Sequence, residues 1–164
     1  MRSILLMIAL LFSQNILLGA GPEFSMPVTT QGQNAHRTIR LDLEIAENDS
    51  RLYGLQQSAL LSEITSRLTL AQIQVKNDPG LPQLTLRVKS IEADRVIATF
   101  VQLFFSEPAT LIRNNSSILA LTWSQATLIA GPKEDMIKEV TQSVVSMVNS
   151  FILDYQKAMT SHPT

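Results

Sequence analysis

The sequence predicts an α+β domain of two layers, in which a mostly antiparallel five-stranded sheet carries two helices on one face, in the order β-α-β-β-β-β-α. Two observations lead to this prediction. Several stretches alternate apolar and polar residues, which is the period of a half-buried strand. Two longer stretches carry apolar residues at spacings of three and four, which is the period of an amphipathic helix. The 164 residues are enough for one such domain with an N-terminal extension.

The N-terminal segment predicts export from the cell. In "MRSILLMIALLFSQNILLGA", Arg2 precedes the apolar run Ile4–Phe12, and residues 18–20 are Leu-Gly-Ala. This pattern is typical of a secretory signal peptide over residues 1–20, with cleavage after Ala20. An uncleaved membrane anchor is the alternative, but the polar residues Ser13–Asn15 interrupt the apolar segment.

The remaining chain divides by composition into a tether, a folded domain and a short tail. Residues 21–37 are rich in Gly, Pro, Gln and Thr and have no hydrophobic period, so we expect a flexible tether there. The single folded domain is expected over residues 38–160, and residues 161–164 form the tail.

Five stretches of the domain have the pattern of strands. Turn-forming residues separate them, and the clearest break is the segment "NDPGLP" at 77–82, whose prolines and glycine interrupt regular structure. The predicted strands are Ile39–Ile45, Ile73–Lys76, Leu84–Lys89, Val96–Ile112 and Ile118–Ala130.

Two stretches have the spacing of helices. Between about Leu52 and Leu70, the apolar residues Leu60, Ile64 and Leu68 recur at every fourth position. The second helix is expected to begin at Gly131-Pro132, because a proline in the first helical position needs no N–H group.

The two long strands are apolar on both sides, which a half-buried strand is not. In "RVIATFVQLFF", residues 95–105, both alternating sets are apolar, and one of them must pack under the helices. Either the tether or a loop covers the other side, or that side is a contact surface for a partner. A bulge near Pro108 would exchange the two sides. The expected members of this interaction surface are Ile97, Val101, Leu103, Phe105, Leu121 and Trp123.

Residues that carry chemistry are scarce. The chain has no cysteine, which excludes disulfides and thiolate metal sites, and its two histidines, His36 and His162, lie in the tether and the tail. No G-x-S-x-G turn or glycine-rich phosphate loop is present. A net charge of −1 without a basic stripe speaks against a nucleic-acid partner. We therefore expect no catalytic residue, no metal site and no cofactor.

Three segments carry a resemblance to known proteins. They are "GLPQLTLRVKSIEADRVIATFVQLFFSEPATLIR", "ALTWSQATLIA" and "FILDYQKA", and the resemblance covers about Leu52–Ala158, with Thr122-Trp123 as its most distinctive pair. The chain resembles a group of small exported bacterial proteins of unknown function. Its element order is also similar to small α/β modules of periplasmic assembly proteins, such as the amino-terminal domain of TolB. The resemblance implies a fold and no site residues.

These observations favour a non-enzymatic periplasmic protein that acts by protein–protein contact, with a second copy or with another envelope protein. The alternative is a carrier of a hydrophobic ligand such as a lipid, and an enzyme that uses carboxylates comes third. We expect contact with the membrane only if the leader stays uncleaved.

Overall fold

The computed structural model describes residues 37–46, 48–49, 54–94 and 96–160. They form an α+β fold of five strands and two helices in the predicted order. The predicted signal peptide, the tether up to His36 and the tail lie outside the described residues. The strands are β1 (Thr38–Ile45), β2 (Gln74–Val75), β3 (Gln83–Ala93), β4 (Val96–Leu111) and β5 (Ser116–Pro132), and the helices are α1 (Gln57–Leu70) and α2 (Lys133–Thr160).

The five strands form one mixed sheet in the order β2-β1-β3-β4-β5. The three long strands β3, β4 and β5 pair antiparallel, as the sequence predicts. β1, however, is parallel to both of its neighbours, β2 and β3. The reason is the connection: α1 carries the chain back along the sheet, so β2 starts at the same end as β1.

Both helices cover the same face of the sheet, which we call the inner face. α1 contributes the three buried residues of its predicted stripe, Leu60, Ile64 and Leu68. These three residues join a core to which α2 contributes Met136, Val140, Val144, Met147, Val148 and Phe151. The strands β3 and β4 contribute Leu84, Leu86, Val88, Ile97, Val101, Leu103 and Phe105.

The predicted position of four interaction-surface residues is wrong. Ile97, Val101, Leu103 and Phe105 lie under the helices and are 3% exposed or less, not on the opposite face of the sheet. Since β4 is apolar on both sides, its own pattern does not choose a face. The choice comes from β3, whose buried Leu84, Leu86 and Val88 stand opposite Phe105, Leu103 and Val101.

A β-bulge in β5 separates the remaining two predicted residues. Trp123 pairs with Phe105 and Leu121 pairs with the next residue, Ser106, so that Thr122 is the extra residue of the bulge. As a result Leu121 and Trp123, two positions apart, lie on opposite faces. The irregularity expected near Pro108 is therefore at Phe105/Ser106.

The turns differ slightly from the predicted bounds. β3 continues to Ala93, and the hairpin to β4 turns at Asp94, which has a φ of 56°. The hairpin from β4 to β5 contains Asn115, with a φ of 54°. Short polar side chains tolerate this left-handed conformation better than other non-glycine residues. Pro132 is the last residue of β5, and α2 begins at Lys133.

Candidate functional site

The face of the sheet that the helices leave uncovered, here called the outer face, has a polar half built by β1 and β3. Arg87 Nε donates a hydrogen bond to Glu44 Oε2 over 2.6 Å. Gln83 Nε2 donates to Asp42 Oδ2 at 3.1 Å and to Thr85 Oγ1 at 3.0 Å. This half is held together by its own hydrogen bonds and faces water as a charged surface.

The other half of the outer face, built by β4 and β5, is mostly apolar, and it is crossed by a hydrogen bond of 3.2 Å from Gln102 Nε2 to Ser124 Oγ. We call its five large residues the outer patch: Phe100, Phe104, Leu119, Leu121 and Leu128. The three leucines are 56%, 61% and 70% exposed, and Leu128 stands directly opposite Phe100 in the β4–β5 ladder. Large exposed apolar side chains grouped on one face of a sheet commonly mark a contact site.

A shallow depression of about 220 Å³ lies at one end of the outer patch, between Phe104, Leu119 and Leu121. Arg87 borders it from the polar half, and its guanidinium carbon lies 5.1 Å from the centre of the Phe104 ring. This cation–π geometry fixes the ring at the boundary between the two halves. The volume is below the roughly 300 Å³ of small-molecule pockets, so the depression suits an inserted side chain.

Of the six residues predicted for the interaction surface, Leu121 lies on the outer face. Trp123 is half-buried on the inner face, where its ring packs edge-on against Phe151 with centroids 5.3 Å apart. Its Nε1–H donates a hydrogen bond to Asp154 Oδ2 over 3.1 Å. Trp123 therefore fastens α2 to β5, and it is not the anchor of the outer face.

Sequence reasoning missed three members of the outer patch: Phe100, Phe104 and Leu128. The signal that could have found the two phenylalanines is the clean alternation of β3. Its polar residues Thr85 and Arg87 stand opposite Phe104 and Gln102, and the hairpin register then assigns every second residue of β4 to the outer face. No comparable sequence signal marks the bulge at Thr122, which decides the face of Leu119.

An aromatic cluster closes the inner face at the end where the bulge lies. Phe105, Phe151 and Tyr155 have ring centroids 5.1–5.6 Å apart. Burial raises the pKa of Tyr155 to about 12, the Glu107 carboxylate adds to the increase, and Arg37 opposes it. The Tyr155 phenol thus stays neutral near pH 7 and serves packing here.

A second concavity, of about 420 Å³, lies where the beginnings of α1 and α2 meet. Leu55, Ala59, Leu60 and Ile137 make most of its wall apolar. Its charged residue, Glu63, is paired with Arg67 at 2.6 Å. We call this concavity the helix groove.

The described residues show no arrangement typical of catalysis. No group of three or more His, Asp or Glu side chains among them could hold a metal ion. Every buried side-chain nitrogen or oxygen in this part of the chain has a hydrogen-bond partner. Within the described ranges, no helix is both long and apolar enough to cross a membrane.

Comparisons with known proteins give likenesses of fold. No family model matches the chain, and no curated protein matches it. A minor lipoprotein from Acinetobacter baumannii aligns at 11% identity and a TM-score of 0.40, over 75% of this chain and 92% of that chain. An uncharacterized protein aligns at 10% identity and a TM-score of 0.40, over 73% and 92%.

A third solved structure, a candidate lipoprotein from Caulobacter crescentus CB15, aligns at 9% identity and a TM-score of 0.39, over 80% of this chain and 97% of that chain. Likenesses at this level do not extend to function. A TolB-type domain is not among these three structures, so that part of the resemblance stays a prediction.

Proposed function

We propose that this chain is a non-enzymatic protein of the bacterial envelope that acts by binding another protein at the outer patch. The observation that carries the proposal is the division of the outer face into a charged half and an exposed apolar half. The location rests on the sequence of residues 1–20, which has the charge, apolar run and small residues of an export signal.

The free energy available at the outer patch supports binding. Fully burying a leucine side chain contributes roughly 1.5–3 kcal/mol, and three leucines of the patch are more than half exposed. A partner that covers them gains several kcal/mol from apolar burial, which offsets part of the entropy cost of association. The depression beside Phe104 offers a receptor for one anchoring side chain of the partner.

Photo-crosslinking from within the outer patch tests the proposal. The full chain, with its own leader, is expressed with p-benzoylphenylalanine at Phe100 and irradiated in cells. We expect an adduct of discrete mass in the envelope fraction. Leu121→Lys in the same chain should reduce it, because it places a charge in the contact.

Leu70 supplies the matched control, because it is 82% exposed at the end of α1, outside the outer patch. The photo-crosslinker at position 70 should give no such adduct, and Leu70→Lys should leave the Phe100 adduct intact. Equal labelling from both positions would contradict the proposal, as would an adduct insensitive to Leu121→Lys. A product confined to the cytoplasm would contradict the location.

The helix groove supports a second candidate function, the carriage of a hydrophobic ligand. Its volume of about 420 Å³ and its apolar wall fall within the range of small-molecule sites. Native mass spectrometry of protein purified without detergent should then show extra mass of lipid size, which Ile137→Lys removes. Protein without added mass would argue against a carrier.

A further inference from the structure

The β5 edge of the sheet is long and carries few of the usual protections against pairing with another strand. Among the described strands β5 pairs with β4 alone, along 17 residues, whereas the opposite edge, β2, has 2 residues. Proteins commonly protect exposed edges with charges, prolines, very short strands or bulges, and of these β5 has the bulge at Thr122. Although 16% of the chain is charged, β5 has no charged residue, and its one proline is its last residue.

We propose that β5 pairs antiparallel with β5 of a second copy, which joins two five-stranded sheets into one continuous sheet. This contact goes beyond the proposed function, because its hydrogen bonds use the backbone of the β5 edge and its partner is a second copy of the chain. A strand that pairs with itself must bring no like charges together, and the uncharged sequence of β5 meets that condition.

The bulge restricts the register of the pair. Outer-face residues of β5 are odd-numbered up to Leu121 and even-numbered from Ser124 onward, because Thr122 is inserted between them. The outer faces of both copies should lie on the same side of the joined sheet. An odd-numbered residue of β5 before Thr122 in one copy must then stand opposite an even-numbered residue of β5 after Thr122 in the other copy. Registers that break this rule would turn apolar side chains to the wrong face.

The register with the longest overlap that avoids Pro132 satisfies this rule on both sides of the centre, where residues 116–121 meet residues 126–131, and departs from it at the central residues 122–125. It sets Ser116 opposite Gly131 of the second copy and leaves out Pro132, which has no N–H to donate. The same register sets Leu119 opposite Leu128 on the outer face and Ile118 opposite Ile129 on the inner face. Apolar side chains of the two copies thus meet on both faces of the joined sheet.

The size of this contact is sufficient for a specific dimer. The overlap is about 54 Å long at about 3.4 Å per residue and about 10 Å thick, which buries roughly 540 Å² per copy. The total of roughly 1,100 Å² exceeds the roughly 1,000 Å² expected of a biological interface. α2 packs on both β4 and β5, and strand spacing then sets the two α2 helices about 10 Å apart, at the upper end of helix-packing distances.

Cysteine cross-linking tests the register, because the chain contains no cysteine of its own. The full-length variants Leu119→Cys and Leu128→Cys are mixed and treated with a short bis-maleimide. We expect covalent heterodimers from this pair to form faster than from Leu119→Cys with Ala126→Cys, or from Leu121→Cys with Leu128→Cys. Leu70→Cys mixed with Leu128→Cys is the control for random collision. Circular dichroism confirms that each variant is folded.

A measurement of mass completes the test. Native mass spectrometry of the unmodified chain should show a dimer, and Thr127→Lys, which adds a charge to the edge strand, should raise the dissociation constant about tenfold or more. A monomer at all concentrations would overturn the inference, and so would cross-links that favour another register or the Leu70 control. The photo-crosslinker at Phe100 lies in β4 on the outer face and not at the β5 edge, so its adduct with a partner can persist when the dimer is absent. The two experiments therefore separate the binding of a partner at the outer patch from dimerisation through β5.

Discussion

Tyr155 shows at the scale of one residue how packing changes a titration. Its ring packs against Phe105 and Phe151, and burial is the main reason that its pKa is raised to about 12. An unfolded tyrosine has a pKa of about 10. The folded state therefore keeps this proton at pH values where the unfolded state has lost it.

The raised pKa predicts a loss of stability at high pH. The free energy of unfolding should contain the full contribution of Tyr155 below pH about 10 and lose it between pH about 10 and 12, because the unfolded chain releases the proton first. Urea unfolding at a series of pH values measures this loss, with Tyr155→Phe as the reference that lacks the phenol. Equal slopes for the two proteins in that range would refute the prediction. Tyr53→Phe in both proteins leaves Tyr155 as the sole tyrosine of the first protein and no tyrosine in the second, so the difference in absorbance titrates Tyr155 alone.

Trp123 shows that the type of a residue predicts its general role but not its packing partner. A lone tryptophan in a strand is more often a packing residue than a recognition anchor, and here it packs against Phe151 and donates to Asp154. The partner on α2 lies 31 positions away in sequence, so no local pattern identifies it.

At the scale of elements, the face on which each residue of β4 and β5 lies depends on the strand register, which the sequence indicates only indirectly. Both strands are apolar on both sides, and the bulge at Thr122 changes the face of every residue before it. The consequence is that Leu103 is fully buried, while Leu121, placed with it on one surface by the sequence prediction, is 61% exposed.

Two alanine substitutions separate these faces. Leu103→Ala should lower the free energy of unfolding by roughly 2–5 kcal/mol, because it leaves a cavity in the core. Leu121→Ala should change the free energy of unfolding by no more than about 0.5 kcal/mol, because the side chain is exposed in the monomer. If the protein dimerises, the two proteins are compared at the same fraction of dimer. Urea unfolding of both variants at low protein concentration is the measurement. Similar large losses would show that the outer face is not open.

At the scale of the whole molecule, local stability should be highest in β4 and lowest at the β2 edge of the sheet. β4 is paired on both sides by β3 and β5 and is covered by α2, whereas β2 is a two-residue edge. Local opening needs the least free energy where backbone groups have the fewest buried neighbours.

Hydrogen exchange with mass spectrometry checks this order. Amides of Ile97–Phe105 should exchange most slowly among the strands, and those of β2 fastest. If β5 pairs with a second copy, its amides should also gain protection as the protein concentration rises, and Thr127→Lys should remove that gain. Exchange of β4 at the rate of β2 would contradict the arrangement of the sheet.

The amino-acid sequence by itself determined the element order, the stripe of α1 and the strand pattern of β1 and β3, because hydrophobic period is a local property. It also indicated that one face of the β4–β5 pair remains apolar after the helices are placed. The parallel direction of β1 and β2 and the members of the outer patch were decided by tertiary structure. Those features depend on which strands meet and on one inserted residue, Thr122, and a strand that is apolar on both sides carries no local preference for either face.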